Sequence, residues 1–255
     1  IRDRDGSKRT VTVTKIALNG KKRRKSNKKL KDNLADDESR CLAELNEKHM
    51  EFVFFSADTN QNKENKEKAR EYVMQLLNSA ENECLICDPY FKKEDFEKYI
   101  FFMEKLDVKV RIINSEKQLG NISAPDSEDY LLKLNDCINY YNRKVGREVA
   151  ECRSLTKNLS IHDRFIIIDD CGWLIGSSLN EFGNRASSIC KIPQGSLEYM
   201  RKNFERWWND TENSESLDGY IQRKVKLNAS PEGKLLKHIT HLTRVLNSLK
   251  SQLAK

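Results

Sequence analysis

His162 and Arg164 stand two residues apart at the entrance to an unbroken apolar run, Phe165 to Ile168, that closes on Asp169 and Asp170. Such a run is how a strand buried on both faces reads. On an extended chain positions i and i+2 share a face, so the imidazole and the guanidinium point the same way. An imidazole attacks phosphorus or hands over a proton, and a guanidinium clamps two phosphate oxygens through parallel hydrogen bonds. Ser178 and Asn180, the latter sixteen residues beyond Arg164, supply neutral donors for the same oxygens. These residue types at this spacing point to chemistry on a phosphate ester.

The flanking sequence must hold these groups in place. Cys171-Gly172 reads as a turn, Trp173 to Ile175 as a second strand that Gly176-Ser177-Ser178 breaks, and NRASSICKIP as a third. A helix over 196–209 then carries Leu197, Met200, Phe204 and Trp207 on one face. Upstream, strands are predicted over 51–56, 83–88, 108–113 and 149–155, with helices over 66–80, 94–106 and 127–144 and polar loops over 59–65 and 120–125. Asp126 or Ser127 caps the last of these helices. The β-α-β-α-β order predicts an α/β fold, a mainly parallel mixed β-sheet flanked by helices. In ECLICDPYF the proline ends the strand. Asp88 there either lines the site or only shapes the Asp-Pro turn.

His162, Arg164 and Asp169 read HxRxxxxD, and Ser178 and Asn180 follow as SxN. This resembles the phospholipase D superfamily, whose signature is HxKxxxxD with a downstream GSxN, and most of all its small bacterial nucleases with one motif per chain. The resemblance spans about residues 51–210. It implies a phospholipase D-like fold with His162, Arg164 and Asn180 as catalytic residues and Arg164, Ser178 and Asn180 as phosphate ligands. It makes Asp169 structural, tying down the turn that follows. Arg164 replaces the family lysine, Ser177 falls where GSxN has glycine, and Ser187, Ser188 and Cys190 occupy the region of a family glutamate. Family chemistry uses two histidines, one attacking phosphorus to form a phosphohistidine and one protonating the leaving oxygen. No second HxK or HxR exists in the chain. The resemblance therefore implies a homodimer sharing one site, or a second lobe on another chain. No metal and no cofactor is required.

At 255 residues with a net charge of +7, the chain is long enough for a sizeable core and suits a polyanionic partner, DNA or RNA. Seven cysteines without framework spacing suggest a reducing, cytoplasmic setting. Cys84 and Cys87 form CxxC inside a predicted strand, where positions three apart face opposite sides, which disfavours a redox or zinc pair. The absent initiator Met suggests a processed chain or part of a longer one. Residues 1–50 read as an N-terminal extension, with a strand over 10–14, a helix over 32–49, and eight basic residues in the eleven of 21–31. That arm is a solvated loop or a phosphate-backbone contact. Residues 211–255 read as a polar loop over 211–219 and a C-terminal helix after Pro231 and Gly233. Leu235, Ile239, Leu242, Leu246, Leu249 and Leu253 form a heptad seam on it, which either docks on the domain or self-associates. His238 and His241 share that helix without an acidic or cysteine companion.

Three functions compete. The first is a metal-independent nuclease of the phospholipase D type; no membrane helix with aromatic anchors favours a lipid substrate. The second is a catalytically degenerate phospholipase D-like module that dimerises and binds nucleic acid. The third, a metal-dependent nuclease using Asp88, Glu151, Asp169 or Asp170, lacks a supporting acidic spacing.

Overall fold

The computed structural model describes residues 52–56, 62–120, 129–156 and 161–253. The basic arm, the expected elements of residues 1–50, the 120–125 loop beyond Gly120 and both expected caps at Asp126 and Ser127 lie outside them.

Eight strands form one sheet, β1 (Phe52–Phe55), β2 (Glu83–Cys87), β3 (Lys109–Ser115), β4 (Ala150–Leu155), β5 (Phe165–Ile168), β6 (Cys171–Ile175), β7 (Ser187–Lys191) and β8 (Ser214–Ser216). Their order is β1-β7-β6-β5-β2-β3-β4-β8. The helices are α1 (Asn62–Asn78), α2 (Lys93–Tyr99) with a 3-10 turn over Ile100–Phe102, α3 (Glu116–Leu119), α4 (Tyr130–Val145), α5 (Gln194–Asn209), α6 (Leu217–Ala229) and α7 (Pro231–Leu253).

The class is as expected, α/β with a mixed sheet and flanking helices. The balance within the sheet is not. Only β2–β3 and β3–β4 pair parallel, and the other five pairings are antiparallel. Parallel pairing is confined to strands joined through helices, because only a crossover returns the chain to the same end. Strands β5 and β6 are instead joined by Asp169-Asp170, so they form a hairpin. The turn falls there, not at Cys171-Gly172, because Asp169 adopts φ 45°. An aspartate reaches that left-handed region more readily than most residues.

The sheet is buried where the sequence is apolar throughout. Every residue of β5 is buried, as are the last four of β2. On one face Leu85, Cys87, Ile113, Leu155, Phe165 and Ile167 pack against Leu197, Phe204 and Trp208 of α5, with Met200 and Trp207 partly buried beside them. On the other face Phe55 of β1 meets Tyr72 of α1 at 6.0 Å. Helices α2 and α4 join through Phe96 and Tyr141, 5.5 Å apart.

Residues 211–219 are not a loop. Ser214–Ser216 pairs with β4, and Leu217 starts α6. Apolar periodicity does not reveal this stretch because a buried polar network anchors it. The Lys224 ammonium, 1 % exposed, meets Asp129 at 2.7 Å, and the Tyr220 hydroxyl donates to the same carboxylate at 2.9 Å. Asp129 also caps α4, accepting from the amides of Leu131 and Leu132. The expected helix thus begins at Tyr130.

The C-terminal helix begins at Pro231, which suits a first helical turn because its missing N–H would be unpaired there anyway. Ser230 accepts from Gly233 N at 3.0 Å, and a side chain at Gly233 would collide with the Leu227 backbone. The seam does not dock on the domain. Leu235, Ile239, Leu242, Leu246 and Leu249 are each 50–63 % exposed. Among the described residues, no helix is long and apolar enough to cross a membrane.

Candidate active site

Strands β2 and β5 run antiparallel, with Cys84 opposite Ile168 and Cys87 opposite Phe165. Continued by one residue at the open end, this register sets Asp88 opposite Arg164. At the other end it sets Glu83 opposite Asp169. The residues singled out in the sequence therefore fall at two ends of one ladder.

At the open end Pro89 stops β2 and leaves Asp88 buried, 1 % exposed. Its carboxylate is the hub of the site. The Ser178 hydroxyl lies 2.8 and 2.7 Å from its two oxygens. Leu179 N donates at 2.8 Å and Tyr90 N at 3.0 Å. Arg164 Nε lies 3.9 Å away. Burial pushes the Asp88 pKa up, while these hydrogen bonds and the Arg164 charge oppose the rise.

Arg164 is partly exposed and lies over the Tyr90 ring, 5.4 Å from its centroid. Its carbonyl accepts from Ile175 N at 2.8 Å, tying the end of β6 to the start of β5. Beyond Ile175 the chain turns through 178–182, with Glu181 N donating to Ser178 O and Phe182 N to Leu179 O. This turn presents Asn180. Two buried polar atoms here lack a hydrogen-bond partner among the described residues, Arg164 Nε and Asn180 Oδ1. Such atoms are costly unless something binds them. His162 is exposed on the segment leading into β5, two residues before Arg164.

Ser178 departs from its expected use. A hydroxyl has one proton, and here it is directed at Asp88, so Ser178 is not free to donate to a phosphate while Asp88 is ionised. Ser177 Oγ lies 2.9 Å from Ser187 Oγ, a hydroxyl contact between the segment that follows β6 and the start of β7.

Asp169 sits at the far end of the ladder and acts backwards along the chain, not on the turn that follows it. Its carboxylate accepts from the amides of Glu81, Asn82 and Glu83 at 2.7, 2.9 and 3.0 Å. Partial burial raises its pKa, but those amides outweigh that and hold it below the usual carboxylate value. Arg201 of α5 bonds both the Asp169 carbonyl and the Glu83 carboxylate.

The acidic residues of the metal-dependent alternative are not gathered. Asp88 and Asp169 occupy opposite ends of the ladder, and Glu151 is exposed on β4. Among the described residues no group of three or more His, Cys, Asp or Glu could hold a metal ion. Cys84 and Cys87 are buried and free. Tyr90 escaped the sequence reading. Its signal is DPY itself, since a proline-stopped strand places the next residues over the strand end.

Among solved structures, the chain is similar to NucT from Helicobacter pylori at 15 % identity and a TM-score of 0.43, over 61 % of this chain and 93 % of that one. For Nuc from Salmonella typhimurium, a phospholipase D family member, the values are 18 %, 0.44, 58 % and 90 %. For phosphatidylserine synthase of Haemophilus influenzae Rd KW20 they are 18 %, 0.47, 76 % and 45 %. No curated protein matches the chain. The family profile described as "Cardiolipin synthase, PLD-like domain" matches residues 73–208. That match takes in more than half of the sequence and the whole interval from His162 to Asn180, and so the chain belongs to the phospholipase D-like family.

Proposed function

We propose that this protein is a metal-independent phosphodiesterase that cleaves nucleic acid through a phosphohistidine, with one site shared between two copies. The observation that carries the reading is the arrangement at the open end of β5. An exposed imidazole stands two residues from a guanidinium that lies over Tyr90 and faces the buried Asp88 carboxylate, and that carboxylate also holds the turn carrying Asn180.

In the first step His162 attacks phosphorus, a P–N bond forms and the P–O bond to the leaving group breaks. The leaving oxygen takes a proton from the partner subunit's His162. In the second step the partner's His162, now neutral, takes a proton from water as its oxygen attacks phosphorus. The P–N bond breaks and a phosphomonoester leaves. Arg164 and the Asn180 amide bind the non-bridging oxygens through both steps, countering the charge that builds there. The net charge of +7 favours nucleic acid as the polyanion. The exposed seam of α7, with its four-and-three spacing, offers a self-complementary face for the second copy.

The test is cleavage of single- and double-stranded DNA and RNA in excess EDTA, wild type against His162→Ala, with mass measured in solution. EDTA-resistant cutting by a dimer, lost in the variant, is the expected result. Salt-sensitive binding without cutting would identify the degenerate binding module instead. Cutting abolished by EDTA would refute the metal-independent mechanism.

A further inference from the structure

Asp88 is the residue of this site whose chemistry the motif does not explain. A carboxylate removed from water is costly unless compensated, and this one is 1 % exposed. A neutral acceptor would serve the Tyr90 amide at the strand end. What a carboxylate adds is a second oxygen and a charge. The second oxygen lets it take Tyr90 N on Oδ1 and Leu179 N on Oδ2, with the Ser178 hydroxyl between the two. The charge faces Arg164, whose Nε lies 3.9 Å from Oδ1. One buried group therefore touches both halves of the phosphate site, the arginine entering β5 and the turn after β6 that carries Asn180.

We infer that Asp88 is the positioning residue of this site, orienting Arg164 and the Ser178–Asn180 turn toward a shared phosphodiester. Arg164 meets Asp88 through the Nε edge and Tyr90 through its flat face. Among the described residues, nothing binds its two terminal nitrogens, the pair that grips phosphate oxygens in parallel. Ser178 acts through Asp88, spending its proton to hold the carboxylate and leaving contact with the substrate to Arg164 and Asn180. This inference rests on the site being a phosphodiesterase, and its test separates the two.

Steady-state kinetics on a chromogenic phosphodiester, bis(p-nitrophenyl) phosphate, are compared for wild type, Asp88→Asn and Ser178→Ala, with folding checked by circular dichroism. Asparagine keeps the shape but removes the charge and one acceptor. The expected result for Asp88→Asn is a KM raised about tenfold and a kcat/KM lowered about a hundredfold, with Ser178→Ala raising KM about threefold. A merely structural role would lower the melting temperature and the active fraction while leaving KM unchanged.

Binding of a labelled single-stranded oligonucleotide, read by anisotropy in a His162→Ala background, gives the second readout. Asp88→Asn is expected to weaken binding about tenfold, and Asp88→Asn with Arg164→Ala together no more than Arg164→Ala alone. Binding that tightens in Asp88→Asn, losses that multiply with Arg164→Ala, or an unchanged KM would overturn the inference. Should Asp88→Asn fail to fold, Ser178→Ala decides, an unchanged KM again overturning it. A wild type that cuts while Asp88→Asn cuts equally well refutes Asp88 alone. A wild type that neither cuts nor binds refutes the enzymatic reading and this inference with it.

Discussion

Replacing Asp169 tests whether the motif aspartate is a clamp on the fold, and the size of the effect follows from its surroundings. Its carboxylate accepts three backbone amides at 2.7–3.0 Å. A hydrogen bond to a charged group contributes about 1.5–3 kcal/mol net when well shielded. Glu81 and Asn82 are exposed, so water replaces the lost acceptor there, and the total for three bonds comes down to about 2–3 kcal/mol. Asparagine keeps one acceptor oxygen and tolerates φ 45°, so Asp169→Asn should cost about 1 kcal/mol. Asp169→Ala loses every acceptor and adds about 1 kcal/mol of left-handed strain, which Asp169→Gly avoids. The expected order of stability is wild type, Asn, Gly, Ala, read as urea midpoints at constant m-value. The folded-state pKa of Asp169 is depressed, so its stabilisation is complete above the unfolded value, about 3.9, and is lost as pH falls through the folded value. The gap between wild type and Asp169→Asn should close in acid. An Asp169→Ala protein within about 0.5 kcal/mol of wild type at pH 7, or a gap as wide at pH 3 as at pH 7, would refute the reasoning.

Two further stability experiments probe other buried charges. Lys224→Ala leaves Asp129 charged and buried without its ammonium and should cost about 3–5 kcal/mol in urea unfolding. Asp95 is buried, and burial pushes its pKa up to about 7. Its stabilising contribution is complete below the unfolded value and is lost as pH rises through the folded one. Thermal melts should therefore show Asp95→Asn gaining on wild type between pH 5 and pH 8; parallel melting curves across that range would count against the assignment.

The central hairpin was legible because its signals are local. An uninterrupted Phe165–Ile168 run between charged residues admits few structures, and the His162 to Asn180 spacing carried the family resemblance. The β-α-β order of 83–155 argues for parallel pairing and hides the sheet's antiparallel side, although the short link between β5 and β6 implies a hairpin. Strand β8 and helix α6 were missed for a different reason. They rest on edge pairing and a buried Lys–Asp–Tyr network, which hydropathy counts as surface. Asp88 illustrates the hardest case. The Asp-Pro pair gave its position at a strand end, but its role depends on Ser178, ninety residues away, arriving at the same point.

The interval from Arg164 to Asp169 is five residues, and so is the interval from Glu83 to Asp88. Laid antiparallel, the two stretches gauge one another. Asp169 catches the amides of 81–83 at one end, and Arg164 and Asp88 meet at the other. The four unspecified positions between Arg164 and Asp169 are thus a length and not merely a gap. Their side chains can be exchanged among apolar residues of similar volume, but one residue added or removed would shift the frame of β5 against β2 and send every side chain to the opposite face. Substitution within this stretch alters packing by degrees, whereas a change of length parts Arg164 from Asp88 at once.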